Sequence, residues 1–436
     1  MKPGRLSRRR FFCIAAAAGG GAVVAGCGAA PRSAGRPLRP RDGDAGHRAP
    51  VGELAFRPAS AERFPEIDAA GDPREIGRAV GRRFGAQIRA GLERRGEWFR
   101  GLVEYATGIE GRAAMEVFEA AARKHAPAAF AELEGWAAGA EIPLGELLVL
   151  NHKAELAALR DLQPPRAQAG ETPGCSTIVL AAGGRLHHLH NEDGHDAYRD
   201  LMFVIRARPS DAPAYVCLSY PGVLPGNAPA MNARGLCQTT NFIACKEVRL
   251  GVGRYFLDRM VLTARSIDEA IEWSAHPERA YGYHHVFSDL GARRAVGIEV
   301  TPTRSETREI DGLYLHTNHL VLDGTRDAPQ DEGYVSSSSA SRWQVLARWR
   351  DGVADPAALS AGELLAPLAS HEQRPYSPCR HPEGDVHGFT LATAVLDADA
   401  PGRLRLHKGQ PCRGVVGDVD AAGWFAAPGS GGTSGA

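Results

Sequence analysis

The apolar residues of this chain change their spacing once, near its middle, and that change limits the possible folds more than any single residue does. Between Arg74 and Leu159 they recur at helical intervals. Ile76, Val80, Phe84, Ile88 and Leu92 stand four apart and form one slowly drifting stripe. Pro73 suits a helix start. Residues 113–141 are Ala-rich and predict two helices broken near Pro127, and 144–159 continue the pattern. Beyond Leu162 the spacing falls to two. Short β-branched or alternating runs predict strands at 175–180, 185–190, 201–207, 214–220, 235–242, 283–288, 295–300, 313–316 and 389–396. Helices are expected at 255–264, 267–274 and 343–350. Strands in succession with few helices between them point to sheets layered with helices, an α+β class, not a βαβ series.

The junction of the two halves is itself informative. Residues 163–174, QPPRAQAGETPG, are polar and Pro-rich and read as an exposed loop. A strand then opens at once with Cys175. Gly174 has no Cβ, so its carbonyl can be approached closely. A Cys175 thiolate can attack that carbonyl, carry the acyl group on sulfur and, with water, release a new chain beginning at Cys175. The new α-amine has an unperturbed pKa near ~7.7–8.0 and can serve as general base for the thiol. The competing reading of a lone cysteine at a strand start is a small buried hydrophobe.

The N-terminus reads as an address. Ser7-Arg8-Arg9-Arg10-Phe11-Phe12 fits a twin-arginine export pattern. The Ala/Gly-rich stretch from Phe11 to Gly26 is shorter than the roughly 20 apolar residues that span a bilayer. Val24-Ala25-Gly26-Cys27 looks like a lipobox, which would make Cys27 the lipidated first residue of the mature protein. The expectation is an exported lipoprotein on the periplasmic or extracellular face of a bacterial membrane. It would meet the membrane through that lipid only, with the twin-arginine machinery as its export partner. Residues 28–51 are rich in Pro, Arg and Gly and read as a flexible tether; 426–436 read as a disordered Gly/Ser tail. Lys+Arg and Asp+Glu both number 51, and this zero net charge argues against a nucleic-acid partner. With Cys13 discarded, Cys27 lipidated and Cys175 free, the other five of the 8 cysteines could form at most two disulfides.

Four motifs in order carry a family resemblance. They are Gly174-Cys175-Ser176-Thr177, Asn191-Glu192-Asp193, Met231-Asn232-Ala233-Arg234-Gly235-Leu236 leading to Asn241, and His316-Thr317-Asn318-His319. Together they resemble the isopenicillin N acyltransferase family (acyl-coenzyme A:6-aminopenicillanic acid acyltransferases) from Cys175 to about Leu320, and more loosely to about Leu396. The resemblance implies a four-layer αββα sandwich of the Ntn-hydrolase type with an N-terminal helical segment. It implies a precursor cut into a smaller helical chain, 52–174, and a catalytic chain, 175–425, that remain associated. By that resemblance Cys175 is the nucleophile, Asp193 supports it and self-processing, and Asn318 lends an oxyanion-hole side chain, with Asn241 a further donor or orienter. One departure stands out. Family members with penicillin acyltransferase activity carry an arginine just before the Gly that opens the last core strand; here His387 precedes Gly388. Arg380 lies nearby, and Asn191 is a further substrate-side candidate. The departure removes any specific substrate from the inference but leaves the Cys175 chemistry.

Other constellations are weaker. His187, His188, His190 and His195 form a histidine-rich hairpin with Glu192 and Asp193, but alternation splits them between two faces, and His284 and His285 point apart. A polar strand lining a cleft is expected, and neither metal nor cofactor. Ser336–Ser339 lack a nucleophile elbow, so Ser339 or Ser341 reads as a helix N-cap. The function expected is cleavage of a small-molecule linear amide through a Cys175 thioester. Hydrolysis is favoured over transfer because water, not acyl-coenzyme A, abounds outside the membrane. The alternatives are an acyltransferase to an amine and a catalytically inactive, lipid-anchored binding protein.

Overall fold

The computed structural model describes residues 63–160, 174–399, 403–413 and 419–426. The export and lipobox segments, Cys27, the tether, residues 161–173 and residues 427–436 lie outside them.

Helices fill the first half, as the four-residue stripe requires. Helix α1 (Pro73–Glu93) opens on a capping box. Asp72 Oδ1 accepts from the Glu75 amide at 2.8 Å, and the Glu75 carboxylate accepts from the Asp72 amide at 2.9 Å. Ile76, Val80, Phe84 and Ile88 are fully buried. Helices α2 (Gly96–Thr107), α3 (Ile109–His125), α4 (Pro127–Ala140), α5 (Leu144–Leu150) and α6 (Lys153–Leu159) follow, with Pro127 at the expected break. Helix α1 lies close against α4 through glycine. A Cβ at Gly77 would stand 2.0 Å from the Glu132 carbonyl oxygen, and one at Gly139 2.2 Å from that of Arg78.

Two sheets follow from the alternating half. The six-stranded sheet runs β11 (Gly312–His316), β2 (Gly174–Ala182), β3 (Arg185–His195), β12 (Gly388–Asp397), β13 (Arg403–Lys408), β14 (Val419–Asp420). The eight-stranded sheet runs β1 (Glu66–Gly71), β4 (Phe203–Pro209), β5 (Tyr215–Ser219), β6 (Ala230–Asn232), β7 (Leu236–Phe242), β8 (Tyr283–Asp289), β9 (Arg294–Val300), β10 (Ser305–Glu309). Every pairing is antiparallel except β1 with β4. Strand β1 was not anticipated. Its sequence, EIDAAG, has one large apolar residue and no clean alternation, and it takes its place by pairing along β4.

Period-two burial builds the layers. Val204, Val216, Leu218 and Val286 face Val179, Leu186, Leu396 and Leu404 across the space between the sheets. On the outer face of the larger sheet, Phe203, Ile205 and Tyr215 pack beneath helices α1–α6, and the Phe84 and Phe203 rings stack at 3.9 Å. Farther along that face, α7 (Arg254–Val261) and α8 (Ile267–Ser274) cover Tyr283, Phe287 and Ile298. On the outer face of the smaller sheet, Ile178, Leu180, Leu189 and Val395 meet Leu346 of α10 (Ala340–Asp351) and Leu364 and Leu365 of α11 (Ala361–Leu365). The order is helix, sheet, sheet, helix, the αββα sandwich expected. No helix among the described residues is long and apolar enough to cross a membrane.

Candidate active site

Cys175 is the second residue of β2 and is 5% exposed. In the β2–β3 register it lies opposite Glu192, while Gly174 lies opposite Asp193. Directly paired residues share a face, so Cys175, Thr177, His190 and Glu192 point between the sheets. Gly174, Ser176, Asn191 and Asp193 point the other way.

On the inner face a chain of hydrogen bonds starts at the thiol. Cys175 Sγ stands 3.8 Å from Glu192 Oε1, which also accepts from Tyr220 Oη at 2.7 Å. Glu192 Oε2 lies 3.3 Å from His190 Nε2. His190 Nδ1 lies 2.9 Å from Thr177 Oγ1, and that hydroxyl donates to Asn241 Oδ1 at 3.0 Å. Because the Thr177 proton goes to Asn241, His190 donates from Nδ1 and its Nε2 is left as an acceptor. Burial pushes His190 down to about 3, so the ring is neutral at working pH. Burial likewise pushes Glu192 up to about 8, giving a protonated carboxyl that can donate to His190 Nε2. Burial first, then the nearby Glu192 and Asp193 carboxyls, raises the Cys175 thiol well above its usual range. Asn241 Nδ2 is buried with no hydrogen-bond partner among the described residues.

Asn318 follows β11 in the turn carrying the His-Thr-Asn-His run. Its Oδ1 accepts from the Cys175 backbone N–H at 2.8 Å and from Arg342 Nη2 at 2.7 Å. Its Nδ2 donates to the Phe242 carbonyl at 2.9 Å, so the amide expected to face an oxyanion is engaged at the end of β7. The turn is held from both sides. Glu299 accepts from His316 Nε2 at 2.9 Å and from the Val321 and Leu322 amides. Ser339 Oγ accepts from the Asn318 amide at 2.8 Å and lies 2.7 Å from His319 Nδ1 and 3.0 Å from Thr317 Oγ1. Ser339 is therefore not the helix cap its sequence position suggests. Glu332–Tyr334 (α9), a π-helical turn at Val335–Ser339 and α10 run on continuously, and Ser339 makes no capping bond. The π turn aims its hydroxyl at the Asn318 turn instead.

Arg342, Glu192 and Tyr220 belong to the site without standing among the sequence candidates. Arg342, fully buried on α10, donates to the Cys175 carbonyl oxygen and, at 3.1 Å, to Ser176 Oγ. Nothing in its local sequence marks it; only the sheet packing brings α10 onto β2. Glu192 sits inside the Asn191-Glu192-Asp193 motif, and a β2–β3 hairpin places it opposite Cys175.

On the outer face Asp193 Oδ1 accepts from Thr390 Oγ1 at 2.7 Å, and burial pushes Asp193 up to about 7. The Arg380 guanidinium lies close by. A Cβ at Gly174 would come within 3.1 Å of Arg380 Nη1 and 3.0 Å of Arg342 Nη2, so Gly174 is hemmed between two cations. The other two substrate-side candidates have contacts of their own. His387 stands half-exposed, stacked on the His195 ring at 5.1 Å, and not against the buried cluster. Asn191 donates its amide to the Leu368 and Pro378 carbonyls, at 2.9 and 3.0 Å, and accepts from Thr393 Oγ1, so it ties β3 to β12 and to the segment that leads into it.

Another histidine of the hairpin, His188, ties the two sheets together. His188 bridges Thr239 Oγ1 at 2.8 Å and Ser288 Oγ at 3.0 Å. The 231–236 motif is a hairpin clamp. Asn232 donates to the Leu262 and Ala264 carbonyls at the end of α7, and Gly235 turns the chain at φ +81°.

The sequence pattern of the family described as "Acyl-coenzyme A:6-aminopenicillanic acid acyl-transferase" matches residues 181–412. Among solved structures, a variant of the conjugated bile acid hydrolase from Clostridium perfringens is similar at a TM-score of 0.36 and 16% identity. That match covers 54% of this chain and 89% of the other. Penicillin V acylase from Agrobacterium tumefaciens is similar at a TM-score of 0.31 and 12% identity, covering 54% of this chain and 82% of the other.

Proposed function

This chain belongs to the acyl-coenzyme A:6-aminopenicillanic acid acyl-transferase family, and on that premise we propose that it cuts itself between Gly174 and Cys175 and then uses Cys175 to cleave a linear amide. The observation that carries the reading is the three-way hold on Cys175. Its backbone nitrogen is bound by Asn318, its carbonyl oxygen by Arg342, and its thiol lies against Glu192.

In the first step the ionised fraction of Glu192 takes the thiol proton. Sulfur attacks the Gly174 carbonyl carbon, the peptide C–N bond breaks, and the Cys175 nitrogen gains a proton. Water then hydrolyses the thioester to a Gly174 carboxylate and a free thiol. In turnover the Cys175 α-amine is general base. It is already aimed by Asn318 Oδ1, the acceptor its precursor N–H uses. The thiolate adds to the substrate amide, the amine leaves with a proton, and water releases the acid. The unspent Asn241 Nδ2 is the side-chain donor for the developing oxyanion.

Export by the twin-arginine route with lipid attachment at Cys27 belongs to the same proposal. A folded, self-cut enzyme outside the cytoplasm meets water rather than acyl-coenzyme A, which favours hydrolysis.

Residues 28–436, expressed alone and weighed under denaturing conditions, should give two fragments split at Gly174–Cys175. Cys175→Ala should give one. An intact wild-type chain that fails to alkylate at Cys175 would sink the proposal. Adding an amine acceptor to a turnover assay on N-acyl amines separates transfer from hydrolysis by whether acyl-amine product forms.

A further inference from the structure

Four side chains with metal-ligand chemistry, irregularly spaced along the chain, meet beside β12 and β13. His371 follows the 3-10 turn Ala366–Ala369, Cys379 and His381 lie in the segment leading into β12, and Cys412 sits on the turn Pro411–Arg413 after β13. Their ligand atoms all lie within 4.8 Å of one another. Cys379 is buried, and the other three are partly buried. His371 Nε2 is buried without a hydrogen-bond partner, and the two imidazole rings stand nearly perpendicular, 87°, with centroids 4.8 Å apart.

We propose that His371, Cys379, His381 and Cys412 form a structural Zn²⁺ site. The donor set is two thiols and two imidazoles, the soft and borderline combination that favours zinc over calcium or magnesium. The spacing fits. Tetrahedral zinc, with Zn–S near 2.3 Å and Zn–N near 2.05 Å, sets an S···N edge of about 3.6 Å. His381 Nε2 lies 3.6 Å from Cys379 Sγ and 3.4 Å from Cys412 Sγ. Four protein donors close the coordination shell, which marks a structural and not a catalytic ion.

The surroundings are built to hold these donors. The Cys379 amide donates to the Ser370 carbonyl at 3.0 Å, and Ser377 Oγ donates to the Cys379 carbonyl at 2.7 Å. Zinc binding would release the thiol protons of Cys379 and Cys412 to solvent, and the two thiolates would balance the charge of the ion. The ion would link residues 371–381 to Cys412, 31 positions beyond His381, and Arg380, which lies beside Gly174 and Asp193, falls between two of its ligands.

The competing fate of Cys379 and Cys412 is a disulfide. The test is metal content and intact mass of residues 28–436, purified with zinc in the buffers, run on both wild type and Cys175→Ala so that the outcome does not depend on the Cys175 reading. The expected result is one tightly held zinc per chain in both, lost in Cys379→Ser/Cys412→Ser. His371→Ala, which keeps both thiols, should weaken zinc retention against a competing chelator. Cobalt loading should give thiolate-to-metal charge transfer and strong tetrahedral d–d absorption. A zinc-free protein lighter by two hydrogens, with Cys379 and Cys412 joined in the peptide map, would overturn the proposal. So would zinc content unchanged in the double variant.

Discussion

The backbone nitrogen of Cys175 donates to the side-chain oxygen of Asn318 at 2.8 Å, and that oxygen also accepts from Arg342. The amide that would become the catalytic amine is thus oriented before any cut is made. Asn318→Ala should slow turnover about tenfold, the kinetic worth of one hydrogen bond near 1.4 kcal/mol. Asn318→Asp puts a negative charge beside the α-amine, favours its ammonium form and raises its pKa. The rising limb of the kcat/KM pH profile should move to higher pH. A merely structural role for Asn318 would lower the rate without moving that limb.

Glu192 sets a pH dependence of stability in the uncut chain. Burial lifts its carboxyl from 4.5 to about 8, so the folded state binds this proton more tightly than the unfolded state does. The stabilisation is fully present below the unfolded value and is lost as pH rises through about 8. In a Cys175→Ala background, Glu192→Gln should therefore flatten the fall in Tm between pH 6 and 9. Parallel Tm curves for the two proteins across that range would refute the assignment.

Arg342 is expected to matter for both stability and cleavage. Arg342→Met keeps most of the side-chain volume but strips the Cys175 carbonyl and Asn318 Oδ1 of a charged donor. The cost should be about 2–4 kcal/mol, read as a lower midpoint in chemical denaturation. The appearance of cut fragments should slow as well. Arg342→Lys should recover only part of both, because a single ammonium cannot reproduce the guanidinium fork.

Ser339 and Ser336 stand three residues apart in one serine run and should behave differently. Ser339→Ala unties the Asn318 amide and should cost about 1–3 kcal/mol with slower cleavage. Ser336, exposed and bonded only to the Gly333 carbonyl at 3.4 Å, should tolerate Ala within about 0.5 kcal/mol. Thermal melts and fragment yield on the two variants check the contrast.

Period carried most of the fold in the sequence. The stripe from Ile76 to Ile88 and the alternation in Cys175–Leu180 each demand one kind of element and one buried face. Strand β1 escaped because an edge strand with one large apolar residue has little period to show. At the site, Cys175, Glu192 and Asp193 were close to legible because a hairpin fixes their register locally. Arg342 was not. Its contact with Cys175 spans 167 positions, from α10 onto β2. The four zinc-type donors were hidden for a similar reason: ligands at 371, 379, 381 and 412 have no regular spacing, and only β13 returning beside β12 brings the last one in.

Strand β1 gives the proposed cut an outcome that can be read in a refolding experiment. It lies along β4, with six helices of the same segment behind it on the sheet. Scission at Gly174 would leave that strand and those helices on one polypeptide and the remaining strands on another, with the buried face between them intact. The enzyme would become an obligate heterodimer made from a single gene product. Its recovery from denaturant should then be second order, faster at higher protein concentration, whereas the uncut Cys175→Ala chain should refold at a rate indifferent to dilution.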